Sequence, residues 1–169
     1  KNRIEIQPVR WIDKVLELLR SRRQQTTVRF LKASVLVTRP LVHGVAIAVP
    51  SKFRYQDEDA VVNKGHRYFV ITPWRNTSLV GTFHAPHDGD CDDLKVSEYE
   101  IESFIAEINA AYPAGGLKRD DIRFVYTGLL PRSGNNGVVG DMQLLKHYKI
   151  LDHDQEDGIQ GLVSVVGVK

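Results

Sequence analysis

Apolar and polar positions alternate in several short stretches of the chain and recur with a helical period in two longer ones. Residues 68–71 form an apolar, aromatic and β-branched run, which predicts a strand buried on both faces. Because Pro73 has no N–H to donate, this strand must end there or lie at a sheet edge. Residues 75–76 then reverse the chain, and residues 78–83 return as a second strand interrupted by Gly81. The stretch therefore predicts a hairpin.

Five further segments have the composition or alternation of strands. They are residues 27–38, 45–49, 122–127, 144–151 and 161–166. Pro50 closes the second of these, and the polar residues 51–65 that follow predict a loop. In the third, Ile122, Phe124 and Tyr126 alternate with their neighbours, which predicts a half-buried strand.

Two stretches have the period of an amphipathic helix. The first, predicted from near Pro8 to about Arg23, has the apolar stripe Ile12, Val15, Leu16 and Leu19. The second has the stripe Ile101, Phe104, Ile105, Ile108 and Tyr112. Ser97 and Glu100 form a Ser-x-x-Glu capping box at its start, and Pro113 with the two glycines after it ends it.

Six or seven strands in neighbouring hairpins, together with two helices, predict an α+β fold. In this fold a largely antiparallel β-sheet of about six strands has helices packed on one face. The length of 169 residues suits a single domain, residues 1–169, and an apolar fraction of 42% is enough to build a core.

Charge and cysteine content narrow the function classes. The formal net charge is only +2, with 23 basic and 21 acidic residues, which argues against a dedicated nucleic-acid surface. A lone cysteine, Cys91, excludes an internal disulfide and fits a reducing compartment, so we expect a cytoplasmic location. No apolar run approaches the roughly 20 residues that span a bilayer.

Seven potential metal ligands fall within ten residues, but their spacing matches neither a zinc template nor a calcium loop. They are His84, His87, Asp88, Asp90, Cys91, Asp92 and Asp93. We interpret the segment as a polar turn and predict no metal. His147 and His153 have no recognisable triad partner and are predicted to be surface or loop residues. Because no Ser or Cys sits in a nucleophile elbow, a hydrolase is not expected.

Six short motifs follow one another in the order found in a known flavoprotein family. They are residues 69–74 (FVITPW), 79–82 (LVGT), 117–122 (LKRDDI), 126–128 (YTG), 146–148 (KHY) and 162–169 (LVSVVGVK). The ordered set resembles the FAD-dependent, quinone-linked glycerol-3-phosphate dehydrogenases and covers most of the chain. The resemblance implies the substrate-binding (cap) domain of a larger two-domain protein of the D-amino-acid-oxidase-like flavoprotein superfamily.

That larger protein would use FAD, which a Rossmann-like domain holds through a Gly-x-Gly-x-x-Gly turn between a strand and a helix. The 169 residues contain no such turn, so the FAD-binding domain is expected to lie outside them. The chain begins at Lys1 and its only methionine is Met142, which also fits an excised part of a longer protein. We expect the fragment alone to be inactive and to bind no FAD.

The resemblance also implies a cationic wall around the substrate. Lys169 is the candidate catalytic residue, since a lysine in this motif could stabilise negative charge developing on the substrate oxygen. The family motif is Gly-Gly-Lys, whereas this chain has Val168 before the lysine. Lys146 aligns with a family arginine that holds the substrate phosphate, and Tyr148 is predicted to share its strand face. A solvent-facing Lys146 and a merely terminal Lys169 are the alternatives.

Two other positions depart from the family pattern. The family has an arginine directly before Pro131, where this chain has Leu130. Arg132 could fill the same space, although an extended strand is predicted to direct its side chain to the other sheet face. The family also has Gly-Thr-Thr-Asp where this chain ends the motif with His84. Either Arg132 compensates for Leu130, or the natural substrate is not glycerol 3-phosphate.

The function implied for the parent protein is oxidation of glycerol 3-phosphate, or of a similar small anionic hydroxylated substrate, by hydride transfer to FAD. Electrons would pass to quinone, which implies peripheral association with the inner face of the cytoplasmic membrane. A related amino-acid or hydroxy-acid oxidase is one alternative. A non-catalytic binding domain that kept the fold is the other.

Overall fold

The computed structural model describes residues 4–6, 11–20, 29–54, 66–132, 144–145 and 147–167, with backbone alone at 4–6, 20, 53–54 and 66. The strands are β1 (Ile4–Ile6), β2 (Arg29–Thr38), β3 (Ile47–Arg54), β4 (His66–Trp74), β5 (Thr77–His87), β6 (Ile122–Arg132), β7 (Lys149–Asp152) and β8 (Leu162–Val166). The helices are α1 (Ile12–Arg20), α2 (Glu98–Ala111) and α3 (His153–Asp157). The predicted α+β class is confirmed.

The strands form two sheets rather than the single sheet that was predicted. The larger is antiparallel with the order β3-β4-β5-β2-β6, and the smaller has the order β1-β8-β7 with β1 parallel to β8. The predicted strand over residues 144–151 is divided between them. Leu144 forms an isolated bridge with Arg132 of β6, whereas β7 pairs with β8. The sequence of residues 144–151 contains no signal for this change of partner.

Helix α2 covers one face of the larger sheet. The ring of Phe104 lies 5.5 Å from that of Phe69 on β4 and 4.9 Å from that of Phe83 on β5. Leu36, Ile71 and four other buried residues complete this core. These buried side chains are the main source of stability, since each removes apolar area from water at about 25 cal/mol per Å².

The limits of α2 agree with the sequence prediction. Ser97 accepts a hydrogen bond from the backbone N–H of Glu100, and the Glu100 carboxylate accepts one from the backbone N–H of Ser97. The helix is followed by a 3₁₀ turn over Pro113–Gly115, and Gly116 has a left-handed conformation with φ of 50°. The capping box and the stop signal are local features, so the sequence alone was sufficient to place this helix.

Strand β4 differs from the prediction that it is buried on both faces. Phe69 and Ile71 are completely buried, but Tyr68 and Val70 between them are exposed. The reason is that α2 covers only one face of the sheet, so alternate side chains point to solvent. The run of four apolar residues therefore forms a half-buried strand.

Pro50 and Pro73 lie where strand pairing is one-sided. Pro73 pairs with Ser78 of β5, while the pairing of β4 with β3 stops at Ile71, as expected for a residue without an N–H. Pro50, however, does not end its strand, because β3 continues to Arg54. This prediction was wrong because β3 is an edge strand, where proline is tolerated.

Gly81 faces β2 at a bulge in the pairing of β2 with β5, where Ser34 lies opposite Phe83 and Val35 opposite Gly81. A Cβ at position 81 would lie 2.8 Å from Val35 Cγ2. We expect Gly81→Ala to lower the free energy of unfolding by about 1–3 kcal/mol, as in other overpacked sites, in urea denaturation. Val35→Ala removes the obstructing atom, so the same change in that background should have a much smaller effect. An equal loss in both backgrounds would contradict the steric cause.

Helix α1 packs on the smaller sheet, and not beside α2 on the larger sheet. Ile12 and Leu16 are buried in a second core with Leu151, Leu162 and Val166, whereas Leu19, predicted to be on the same stripe, is exposed. The predicted helix is thus confirmed over its described part. Within the described segments, no helix combines the length and apolar character needed to cross a bilayer.

Candidate functional site

The face of the larger sheet opposite α2 is an exposed apolar surface, here called the open face. Lys32 of β2 points to the α2 side, where its Nζ donates a 2.8 Å hydrogen bond to Glu100, so its neighbours Leu31 and Ala33 point to the open face. On β6, Phe124 is 56% exposed and Tyr126 is 59% exposed, with their rings 4.8 Å apart. The half-buried strand was predicted correctly, but these aromatic residues lie on its exposed side.

One end of the open face is closed. Leu31 is completely buried although it points to this face, and its partners Pro86 and Leu130 flank it in the pairing of three strands. Four residues further along β2, the half-buried Val35 lies opposite the exposed Tyr126. The open face is therefore accessible at one end and covered over Leu31 at the other, although Pro86 in the same row is exposed.

Between these two ends lies a row in which two of the three residues are small. Ala33 pairs with His84 of β5 on one side and with Gly128 of β6 on the other, so all three share the open face. A Cβ placed on Gly128 would have no atom within 4 Å, so the space above it is empty. We call this row, His84, Ala33 and Gly128, the open-face trough.

His84 is the titratable residue of the trough, and its environment shifts its pKa. Burial lowers the pKa of its imidazole, and the positive charge of Arg67 lowers it further. The neutral form is therefore favoured in the folded protein, which makes the imidazole both a donor and an acceptor of hydrogen bonds near neutral pH.

This shift predicts a pH dependence of stability. The folded pKa of His84 lies below its unfolded value of 6.5. The contribution of His84 to the stability of the fold is therefore fully present above pH 6.5, and it is lost as the pH falls through the folded pKa. We expect the free energy of unfolding of the wild type to fall more than that of His84→Gln between about pH 7.5 and about pH 5. Urea denaturation at both pH values measures this. Equal losses would contradict the shift, and His147→Gln, at an exposed position, is the control.

Arg67 is held on the α2 side of the sheet by a buried carboxylate. Its Nη2 donates hydrogen bonds of 2.7 and 2.6 Å to the two oxygens of Glu107, which also accepts a 2.5 Å bond from Ser51 Oγ. The guanidinium lies 5.0 Å from the ring centre of Phe69 and 5.5 Å from that of Phe83. The sequence analysis did not identify this ion pair, since its partners are 40 residues apart.

Arg132 and Leu130 share the open face. Arg132 lies opposite Arg29 and Leu130 opposite Leu31, with Pro131 directed to the other face between them. The prediction that Arg132 points away from the face of Leu130 was wrong, because residues two apart on one strand point the same way. Arg132 is half-buried and its Nε atom is enclosed.

The two candidate lysines, Lys146 and Lys169, and the motif residue Val168 lie outside the described residues, so their roles remain predictions. Tyr148 is described: it precedes β7 and is 72% exposed. The prediction that Tyr148 lies on one continuous strand over residues 144–151 was therefore wrong. Leu145, which precedes Lys146 in the sequence, lies close to β6, since its N–H donates a 2.9 Å hydrogen bond to the carbonyl of Pro131.

His153 differs from its prediction as a surface or loop residue, because it is only 1% exposed. It begins α3, where its Nδ1 lies 2.5 Å from Asp157 Oδ2 and its Nε2 lies 2.8 Å from Ser164 Oγ of β8. Ser164 is equally buried, so a substrate could not reach this hydroxyl. The three residues join α3 to β8, and the Asp four residues after His153 was the signal that sequence analysis missed.

The acidic residues 88–93 after β5 form a polar turn, as predicted. His84 and His87, which were assigned to the same turn, instead lie within β5, because its pairing with β2 continues to His87. The ligand atoms of Asp90, Cys91 and Asp92 lie within 4.8 Å of one another near the surface. The ammonium of Lys14 on α1 pairs with both carboxylates, at 3.5 Å from Asp90. This contact compensates their charge and joins α1 to the segment.

Comparison with known proteins gives related sequences, although no protein-family model matches the chain. A glycerol-3-phosphate dehydrogenase of Synechocystis is 38% identical over 111 residues, which are 66% of this chain and 19% of that protein. An alpha-glycerophosphate oxidase of Streptococcus pneumoniae is 26% identical over 141 residues, 78% of this chain and 22% of that protein. The resemblance noted in the sequence is thus confirmed, and the chain spans about a fifth of the length of these relatives.

A solved structure shares the fold. The glycerol-3-phosphate dehydrogenase of Bacillus halodurans, complexed with FAD, aligns with a TM-score of 0.61 at 20% identity. The alignment covers 94% of this chain and 27% of that one. This chain therefore shares its fold with part of that larger protein.

Proposed function

We propose that this chain is the substrate-binding domain of an FAD-dependent oxidoreductase. The parent protein would oxidise glycerol 3-phosphate, or a similar small anionic hydroxylated molecule, by hydride transfer to FAD. The observation that carries this proposal is the open face, a sheet surface covered by α2 on its other side and closed at one end near Leu31. Relatives named glycerol-3-phosphate dehydrogenase and alpha-glycerophosphate oxidase supply the reaction class.

The residues of this chain do not fit FAD by themselves. A dinucleotide needs a glycine-rich turn between a strand and a helix, and the sequence has none with the required spacing. Of the glycines described, Gly81 packs against a side chain and Gly116 ends a 3₁₀ turn, so neither provides such a cradle. We therefore assign FAD binding to a separate domain of the parent protein and derive no step that passes through FAD here.

What this chain would contribute is binding and orientation. An anionic substrate requires charge-assisted donors, and the arginine pair Arg29 and Arg132 lies opposite each other at the closed end of the open face. Lys146 is the further cation that the resemblance implies for the anionic end of the substrate. Tyr148, exposed just after it, would contact the substrate or its entrance. Lys169 would stabilise negative charge on the oxygen of the reacting carbon.

The electron acceptor is a separate part of the proposal. The relatives include both a dehydrogenase and oxidases by name, so acceptors other than oxygen and oxygen itself are represented among them. We propose quinone for the parent, together with a cytoplasmic location at the inner face of the membrane. Two measurements distinguish quinone from oxygen as the acceptor: reduction of a quinone analogue in air-free solution, and formation of peroxide in air.

Lys169→Ala in the full-length protein tests the catalytic assignment. We expect flavin reduction by glycerol 3-phosphate to slow by about 10²–10³-fold while FAD content is unchanged, because one stabilising charge is lost. The rate of flavin reduction is measured by rapid-mixing absorbance spectroscopy. Lys52→Ala, at an exposed position on the edge strand β3, is the control and should reduce flavin normally. A wild-type rate for Lys169→Ala would exclude the catalytic role.

A second candidate function is a non-catalytic binding domain, which Leu130 favours. It places an apolar side chain on the open face where the resembling family has an arginine, and so weakens a phosphate site. A related amino-acid or hydroxy-acid oxidase would also accommodate Leu130. The oxidase alternative would be identified by a full-length protein that contains FAD and whose flavin is reduced by a 2-hydroxy acid or an amino acid, but not by glycerol 3-phosphate.

A further inference from the structure

We propose that His84 binds a hydroxyl group of the substrate above Ala33 and Gly128, and that the open-face trough is thus the hydroxyl-binding part of the site. This inference rests on the proposed function and assigns a role to a residue where the chain departs from the family motif. It concerns the part of the open face between the closed end and the exposed aromatic residues.

The shape of the trough is the first step of the argument. Side chains that pair across a sheet stand side by side, so His84, Ala33 and Gly128 form one row across β5, β2 and β6. Two of the three have little or no side chain, and the position above Gly128 is open space. A small molecule can therefore rest on Ala33 and Gly128 with the imidazole at its side.

The polarity of the neighbouring rows is the second step. The row toward the closed end is Pro86, Leu31 and Leu130, and the row toward the open end is Gly81, Val35 and Tyr126. None of these six residues is charged, and a phosphate dianion needs charged donors. Over the trough, then, the substrate would present a neutral group.

The position of the arginines is the third step. Arg132 lies two rows from Gly128 on the same face of β6, which is about 14 Å along the strand. A substrate whose hydroxyl end lies beside His84 would direct its anionic end along β6 toward Arg132. A molecule with one anionic end and one hydroxyl end matches this order of charge and polarity.

The protonation state of the imidazole is the fourth step. Burial and the charge of Arg67 lower the pKa of His84, so it is neutral near pH 7. A neutral imidazole accepts a hydrogen bond from a hydroxyl, which an imidazolium cannot do. Because Glu107 holds Arg67 by two hydrogen bonds, this charge has a fixed position.

Chemical modification of the full-length, FAD-containing protein tests the inference. Diethyl pyrocarbonate modifies accessible neutral imidazoles, and mass spectrometry gives the rate at each histidine. We expect saturating glycerol 3-phosphate, without an electron acceptor and without air, to slow the modification of His84 at least tenfold. His147 is exposed and outside the trough, so its rate should not change.

Substitution provides the matched measurement. His84→Phe removes the hydrogen bond and is expected to raise the concentration of glycerol 3-phosphate for half-maximal flavin reduction about tenfold, whereas His84→Gln restores much of the affinity. If flavin is reduced but His84 is not protected and His84→Phe has wild-type affinity, the inference is wrong and the proposed function stands. If glycerol 3-phosphate neither reduces the flavin nor protects His84, the proposed function fails and the inference fails with it.

Discussion

Replacement of Glu107 by alanine is expected to lower the free energy of unfolding by about 3–5 kcal/mol, the usual effect of leaving a buried charge without its partner. Glu107 is only 6% exposed and accepts two hydrogen bonds from Arg67 and one from Ser51. Without the carboxylate, the guanidinium of Arg67 would remain between two phenylalanine rings with its charge uncompensated. Urea denaturation, analysed by linear extrapolation, measures the change.

The same helix offers a matched control. Glu98 pairs with Arg119 through hydrogen bonds of 2.8 and 2.9 Å, but both side chains are exposed. Exposed ion pairs contribute about 0–1 kcal/mol, so Glu98→Ala should have little effect. Replacing both partners of the buried pair, as in Arg67→Met with Glu107→Leu, should recover much of the loss, since apolar residues avoid the desolvation penalty. Similar losses for Glu107→Ala and Glu98→Ala would show that the buried pair has no special role.

Replacement of Gly128 by leucine is expected to lower kcat/KM for flavin reduction by glycerol 3-phosphate at least 100-fold in the full-length protein. The new side chain would occupy the trough beside Ala33 and His84 and exclude the substrate from it. A misplacement of about 1 Å can already reduce a rate about 100-fold, so complete obstruction should do at least as much.

Loss of the fold would not explain that result. The position of a Cβ on Gly128 is open, and its backbone is not in the left-handed region, so leucine is accommodated within β6. Glycine inside a strand is also unfavourable, and a leucine should leave stability unchanged or slightly improved. Glu102→Leu, at an exposed position of α2, is the control for added apolar surface. Normal flavin reduction by Gly128→Leu would mean that the substrate does not use the open face.

The sequence was sufficient to predict those elements whose signals lie within a few neighbouring residues. The capping box of Ser97 and Glu100 and the stop at Pro113 placed α2, because both act through neighbouring backbone groups. The hairpin of β4 and β5 was found for the same reason, from Pro73 and the two residues that reverse the chain.

The sequence was insufficient where an outcome depended on distant partners. Whether residues 68–71 are buried on one face or two depends on what packs against the sheet, and α2 packs on the side of Phe69. The division of the strand predicted over residues 144–151 depends on β8, and the burial of His153 depends on Ser164. None of these partners has a spacing that a periodicity analysis can detect.

The candidate site was predicted only in part. The resemblance led to Arg132 and to the departures at Leu130 and His84, and the pairing of β6 with β2 shows that Arg132 and Leu130 share a face. The trough itself could not be predicted, because it needs the register of three strands to align His84, Ala33 and Gly128. A register is determined by the whole sheet, and a shift of one residue would reverse every face.

The proposal that the open face forms one wall of an FAD-dependent oxidation site is tested most directly by adding glycerol 3-phosphate to the air-free full-length protein and recording flavin absorbance. We predict that the oxidised flavin band of the wild type bleaches, and that the band of Gly128→Leu, with the same FAD content, does not. A purified full-length protein without flavin, or a flavin band that bleaches equally in both proteins, would contradict it.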